Sequence, residues 1–314
     1  MGKNNTSSTE ISPVLVGNLA CLAAYLIFGF NIVFCKNIAN SNTISPIALF
    51  CMRAVGSLVL FWAASFIDPQ SRAERMQVSD LWKVAIAAFL GLFVTQLAFL
   101  KAITMTTAID ASILSLLSPI MAMIVAAIVI KDKITINGVA GLTLSLCGVL
   151  FLVLNTVSVS SGADQTTMGG ILYMIANTLA FALYTGIFKP LIQKYSVITF
   201  MKWMFLFSTM YSLPFGFRDL LAVDYHTLPV SIIAQVLYVV VFATFVAYFL
   251  IPVGQKRIKP MIVCMYSYVQ PVIAMLISLA MGLDTMTLSK GLATILVFVG
   301  VGIVNFGGKI KKTQ

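Results

Sequence analysis

Apolar runs long enough to cross a lipid bilayer recur along the whole chain, and nothing else limits its fold so severely. They fall at Val14–Phe34, Ile47–Ile67, Lys83–Ile103, Thr107–Ile130 and Ile136–Leu154. A second set follows at Gly169–Phe188, Thr199–Phe217, Val230–Ile251, Pro260–Met281 and Leu288–Phe306. A helix needs about 20 residues to span hydrocarbon, and each run has close to that length. Sixty per cent of the 314 residues are hydrophobic and only 10% are charged, against about 25% charged in a soluble domain. An ordinary soluble enzyme and a disordered chain are thereby excluded. The runs are continuous rather than alternating, which argues against an outer-membrane barrel. The expected fold is an all-α polytopic membrane protein with ten transmembrane helices.

Charge placement orients them. Lys and Arg collect in cytoplasmic loops. With the N-terminus inside, 15 of the 20 basic residues fall on the inner side, from Lys3 through Arg72 and Arg75 to Lys311 and Lys312. Lys36, Arg218 and Lys290 fall outside; Arg53 and Lys101 lie within spans. This bias predicts that both termini are cytoplasmic. It also accounts for the net charge of +10 without a nucleic-acid partner. Residues 1–12 are polar, with Lys3 as the one basic side chain, so no cleaved signal peptide is expected. The five cysteines sit in or at the ends of apolar runs without metal-ligand spacing, so they read as small packing residues. No metal or cofactor is expected.

The chain also repeats itself. Ser118-Pro119-Ile120-Met121-Ala122-Met123 resembles Gln270-Pro271-Val272-Ile273-Ala274-Met275, 152 residues on. The same shift superimposes Asp132 on Asp284 and Gly148 on Gly300, while Phe28–Lys36 lies over Phe181–Lys189 with a shift of 153. The halves are residues 13–155 and 167–308, with a Ser/Thr/Gly-rich linker at 156–166 and a basic tail at 309–314. Five spans is an odd number, so the second copy enters the membrane inverted. Two inverted five-helix repeats are the architecture of alternating-access carriers, which hold substrate at the repeat interface near mid-bilayer.

Several of these features carry a family resemblance. They are Ser45-Pro46 followed by Arg53, Pro119 in the fourth span, the turn Lys131-Asp132-Lys133-Ile134-Thr135, and the Gly-rich fifth span. On them the chain resembles a drug/metabolite transporter of the EamA type over nearly its whole length. The resemblance implies a ten-helix carrier of small metabolites, often amino acids or related compounds and often exported, in a bacterial inner membrane. It also makes Arg53 a framework residue. One departure is the turn after the fourth and ninth spans, where the family often has Leu-Gly-Glu. Here Ile130-Lys131-Asp132 and Met281-Gly282-Leu283-Asp284 stand instead, so that acid is given no substrate role.

Polar side chains are costly in lipid, so their positions nominate a site. Ser115 and Ser118 share a stripe at helical spacing, and the shift of 152 carries them to Ser267 and Gln270, with Tyr266 alongside. Asn31 corresponds to Tyr184, and Gln96 to Tyr248. These residues are the candidate substrate-binding set. Pro119 and Pro271 occupy equivalent places, lack a backbone donor, and are candidate hinges. Asp110 either binds a substrate amine or a proton, or forms a structural pair with Lys101. Arg53 either snorkels outward as framework or meets a substrate carboxylate. The aromatic residues of the eighth span, Tyr238, Phe242, Phe245, Tyr248 and Phe249, read either as a cavity wall or as packing.

The chain has no HExxH, GxSxG or P-loop motif, and its lone His226 is in a loop. An enzyme is therefore not expected. The reading that remains is a secondary transporter for a small zwitterionic or amphipathic metabolite, as monomer or homodimer, with proton coupling through Asp110 open. The alternative is a passive facilitator or channel-like pore for a small neutral solute.

Overall fold

A computed structural model describes residues 12–125, 127–128, 136–157, 166–258 and 266–307. Most of the linker 156–166, the turn Lys131–Thr135 and the tail 309–314 lie outside the described residues. All regular structure in the described part is helical. The first half contains α1 (Pro13–Asn40), α2 (Pro46–Ile67), the short α3 (Pro69–Ala73), α4 (Val78–Thr104), α5 (Ala108–Ser115), α6 (Ser118–Val125) and α7 (Ile136–Val157). The second contains α8 (Met168–Ile187), the short α9 (Lys189–Lys194), α10 (Val197–Leu221), α11 (Val230–Arg257), α12 (Val269–Ala280) and α13 (Leu288–Gly307). Among the described residues, six stretches are long and apolar enough to span a membrane: α1, α2, α4, Ala108–Val125, α8 and α11.

Local chemistry sets the helix starts. Ser45 accepts from the Ala48 amide and is followed by Pro46 at the first helical position, where a proline costs no hydrogen bond. Thr107, Thr167 and Ser196 cap α5, α8 and α10 in the same way. The first helix outruns its expected span and ends at Asn40. The expected fourth span is two helices, because the chain turns at Leu116–Leu117 and resumes at Ser118. Pro119 cannot donate to the carbonyl four residues earlier, that of Ser115. In the other half the chain turns at Ser267–Tyr268 just before α12, and the Ser267 carbonyl accepts from the Gln270 amide at 3.3 Å, since Pro271 has no N–H to offer.

A second interruption recurs at the repeat distance. Within α4, Phe89–Val94 forms a π-helical turn, and within α11 so does Val241–Val246, 152 residues later. In each, a threonine hydroxyl donates to the carbonyl five residues back: Thr95 to Leu90 at 2.7 Å and Thr244 to Val239 at 2.7 Å. Such turns concentrate at functional positions.

Exchanging the halves preserves the packing. Helix α1 lies against α11 and α12; its counterpart α8 lies against α4 and α6, their counterparts. Helix α2 packs on α10, and α7 on α13. At the last of these contacts a Cβ on Gly148 would stand 2.8 Å from Val297, while one on Gly300 would collide with Ser145. Residues 145 and 297 are themselves 152 apart, so the contact is self-complementary. Small residues of this kind let membrane helices approach closely.

Charged networks tie the halves together at both ends. At one end Asp110 is only 1% exposed and lies 3.7 Å from the Lys290 ammonium. Lys290 also bonds Asp284 at 2.8 Å and Thr107 at 3.3 Å, and Thr166 donates to Asp110. The partner of Asp110 is thus Lys290, on α13, rather than Lys101. Lys101, at the end of α4, makes no ion pair among the described residues. At the other end Asp80 accepts from Lys83, Lys194 and the Tyr195 hydroxyl at 2.9, 2.6 and 2.8 Å. Glu74 accepts from the Ser196 amide at 2.9 Å, and Lys256 donates to the Tyr195 carbonyl at 2.5 Å. Burial works to raise the Glu74 pKa, but its hydrogen bonds with Ser196 and Thr199 and the nearby Lys256 leave it lowered. This contact therefore contributes while Glu74 is ionised, and is lost as the pH falls through that lowered value.

Two outcomes follow. Gly300→Leu should lower stability by about 1–3 kcal/mol through overpacking, read as a fall in melting temperature of detergent-purified protein; Gly291→Leu, where a Cβ meets only the Met286 methyl at 3.9 Å, should not. Lys290→Met should cost more than Asp110→Asn. The first leaves two buried carboxylates facing each other, worth about 3–5 kcal/mol on the usual scale for a broken buried pair. The second keeps the Lys290–Asp284 pair. Equal melting temperatures for the two variants would contradict the network.

Candidate functional site

Between the halves, near mid-length of the long helices, lies a cavity of about 110 Å³. Helices α1, α2, α4, α8, α11 and α12 contribute to its wall, as do the residues at both helix breaks. The interruptions bring their residues there. Ser115 and Ser118 flank the break between α5 and α6, and Ser267 and Gln270 flank the matching break before α12; all four line the cavity. Gln96 and Tyr248 each come two residues after a π-helical turn, and both line it as well.

Seven of the ten candidates named from sequence therefore meet in one place: Asn31, Gln96, Ser115, Ser118, Tyr248, Ser267 and Gln270. The remaining three are elsewhere. Asp110 belongs to the network with Lys290 and is not among the wall residues. Tyr184 is buried with its ring against Gly91, where a glycine Cβ would stand 2.5 Å from it. Tyr266 packs beside the buried cluster of Cys21, Ala24 and Tyr25. Pro119 and Pro271 are buried at the breaks. Of the aromatic residues of α11, only Tyr248 reaches the cavity. Tyr238 instead packs on Phe34, with ring centres 4.9 Å apart, and Phe242 is exposed.

Arg53 is the largest departure from expectation. It does not snorkel outward: it is 2% exposed and forms part of the cavity wall. Its Nε donates to Thr244 Oγ1 at 2.9 Å, so the π-helical turn of α11 holds the guanidinium in place. Its Nη1 is buried without a hydrogen-bond partner, and Arg53 has no ion pair among the described residues. Both polar atoms of the Gln96 amide are likewise unsatisfied. The Tyr248 hydroxyl lies beside that amide but not with a geometry that satisfies it. A buried group left unpaired costs about 1–3 kcal/mol, and more when charged. The site thus presents a guanidinium fork, an amide and hydroxyls to whatever enters. Apolar surface completes it, chiefly Phe28, which meets Tyr248 edge to face at 5.9 Å.

Sequence reasoning missed Thr95, Asn177, Met174 and Phe181 on the wall. Asn177 donates to the Thr95 carbonyl at 2.7 Å and joins α8 to α4. A lone Asn within an apolar run was a readable signal; Met174 and Phe181 carried none.

The EamA-like transporter family matches the chain twice, over residues 15–154 and 168–306. The uncharacterized transporter YetK of Bacillus subtilis is 26% identical over 63% of this chain, and the match spans 60% of YetK's own length. The uncharacterized inner membrane transporter YicL of Salmonella typhimurium is 24% identical over 93% of this chain and 96% of its own. A solved crystal structure described only as that of a protein has the same fold. Its TM-score is 0.65 at 17% identity, covering 95% of this chain and 99% of that one. With both halves matched, the chain belongs to the EamA-like transporter family of the drug/metabolite transporter superfamily, and is an integral membrane transporter rather than an enzyme.

Proposed function

We propose that this transporter carries a small carboxylate-bearing metabolite, an amino acid or related zwitterion, across the bacterial inner membrane by alternating access. The observation that carries the reading is Arg53 in the cavity wall, its Nη1 buried without a hydrogen-bond partner, together with the unsatisfied Gln96 amide of the same wall. A planar guanidinium matches a carboxylate in geometry as well as charge. Size agrees: one water-sized group takes about 10–15 Å³, so a cavity of about 110 Å³ suits a molecule of amino-acid dimensions. The ring faces of Phe28 and Tyr248 offer apolar surface to its side chain.

The movement proposed is a rocking of residues 13–155 against 167–308 as inverted five-helix halves, giving ten crossings with both termini cytoplasmic. The paired breaks at Pro119 and Pro271 supply hinges. The networks at Asp110–Lys290 and Asp80–Lys194 are the contacts that part in turn. Family members are often exporters, so outward movement is the expected direction. Asp110 serves as part of a latch in this scheme and does not touch substrate.

A thermal-shift screen of the purified protein against amino acids and related acids tests the substrate class. A carboxylate ligand should raise the melting temperature, and its methyl ester or amide should not. Arg53→Gln should weaken binding about 10–100-fold, the worth of one hydrogen bond to a charged group. Stabilisation by esters equal to that by free acids would remove the carboxylate reading. The topology is tested separately: cysteines placed at the two termini should be labelled by an impermeant reagent only from the cytoplasmic side, and labelling from opposite sides would remove the inverted arrangement.

A further inference from the structure

A second site lies far from the cavity, at the end of the molecule carrying Asp80 and Glu74. There the last turn of α2, the α3 segment and the start of α10 enclose a pocket of about 300 Å³. Arg72, Arg75 and Lys202 line it, with Trp62 and Trp203. The two indole rings meet edge to face at 6.0 Å, and the Lys202 ammonium sits 5.4 Å from the Trp62 ring. Glu74 is the one acid in the wall, and both its oxygens accept from the Ser196 amide. Ser71 and Ser65 are also engaged, with Thr199 and with the Trp62 carbonyl. The three cations form no ion pair among the described residues, and the Trp62 indole nitrogen is buried without an acceptor. Three cations against one occupied carboxylate is a pocket for an anion.

The pocket continues into a groove. Trp62 and Phe66 are shared with an adjoining hollow of about 480 Å³, whose other walls are Leu58, Val59, Ala63 and Leu206. Leu58 and Val59 stand about one helical turn, roughly 5 Å, further along α2 toward its middle. A basic mouth framed by tryptophans above an apolar trough has the sequence of environments of a bilayer edge: headgroup level, interface, then acyl chain. A soluble phosphate-bearing ion would have no use for the trough, and an apolar partner helix would have none for the cations.

We propose that this is a binding site for an anionic glycerophospholipid, its phosphate held by Arg72, Arg75 and Lys202 and one acyl chain laid along Val59 and Phe66. Basic pockets between membrane helices bind anionic headgroups by this chemistry. Arg72 and Arg75 belong to the first half and Lys202 to the second, so the lipid clasps α2–α3 to α10. The proposal rests on the protein being embedded in a membrane and not on the identity of its substrate.

The three tryptophans of the chain are Trp62, Trp82 and Trp203, so Trp82→Phe leaves indole fluorescence only at this pocket. Delipidated Trp82→Phe protein in detergent is titrated with brominated phosphatidylglycerol or brominated phosphatidylcholine, and bound lipid is counted by native mass spectrometry. The expected result is quenching by phosphatidylglycerol at a several-fold lower concentration, with at least one retained adduct. Arg72→Gln/Arg75→Gln/Lys202→Gln in the same background should abolish the preference, and Val59→Trp, which fills the trough, should cut the number of retained adducts with the cations intact. Equal quenching by the two lipids, or a preference that survives the triple substitution, overturns the proposal. Reversal of quenching by glycerol phosphate alone assigns a soluble-anion site and overturns it too. So does disulfide trapping of two copies through Phe66→Cys at the lipid-free face.

Discussion

A polar group inside a membrane has no water to fall back on, and most of this architecture follows from where its polar groups find partners instead. Backbone groups are satisfied within helices, which leaves side chains as the means of joining one helix to another. They are used between the halves more than within them: Lys290 with Asp110, Lys194 with Asp80, Glu74 with the Ser196 amide, Asn37 with Gln235 at 3.0 Å. At the ends of the molecule each of these carboxylates has met an opposite charge or a backbone amide. At its middle Arg53 has no ion pair among the described residues, and there a guanidinium nitrogen and a whole amide lack hydrogen-bond partners. Under the carrier reading this contrast is functional, since contacts that hold each end shut must be separable and the centre must prefer a guest to itself.

The duplication made much of the cavity legible in advance. A shift of 152 residues pairs Ser115 with Ser267, Ser118 with Gln270 and Gln96 with Tyr248, and all six reach the wall. Two copies of one scaffold related by a pseudo-axis place equivalent residues at equivalent distances from it, so polarity recurring in both copies marks the axis. The same filter explains a miss. Asn177 falls on Ala24 in the first copy, and a polar residue without a polar counterpart passes that filter unmarked, readable only as a lone Asn in an apolar run. Tyr184 shows the converse: it matches Asn31 in place, but its bulk finds room against Gly91 instead of in the cavity.

Other features depended on contacts that no local pattern encodes. Arg53 lies close enough to one end of α2 that outward snorkelling was the economical expectation. What turns it inward is Thr244, 191 positions away, and the π-helical turn that places Thr244 has no distinctive composition. Asp110 has Lys101 as its near neighbour in sequence, yet a helix start aims its first-turn side chains according to what packs there. Here that is α13, which packs on α5. The prolines, by contrast, were informative because their effect is covalent: wherever Pro119 sits, the Ser115 carbonyl loses its helical donor. Sequence located the interruptions, and only packing decided that they are full breaks.

The scaffold is symmetric in backbone but not in chemistry, and the difference bears on how a guest is held. The capping serines Ser45 and Ser196 align α2 with α10 at a shift of 151, which puts Met204 in the place matching Arg53; the shift of 152 puts Phe205 there. Either residue is apolar and fully buried. Phe205 stacks on Phe61 at 5.3 Å and meets Tyr248 edge to face at 5.9 Å. The second half thus supplies buried apolar packing behind Tyr248 where the first supplies a cation. Helix breaks and π-helical turns are shared by both halves and add polarity through carbonyls without adding charge, so the orientation of a bound molecule falls to the one unshared charge. A charged end drawn to Arg53 leaves the remainder of the molecule against Phe28 and Tyr248. A cavity built from two equal halves can in this way hold an unsymmetrical solute in a single direction.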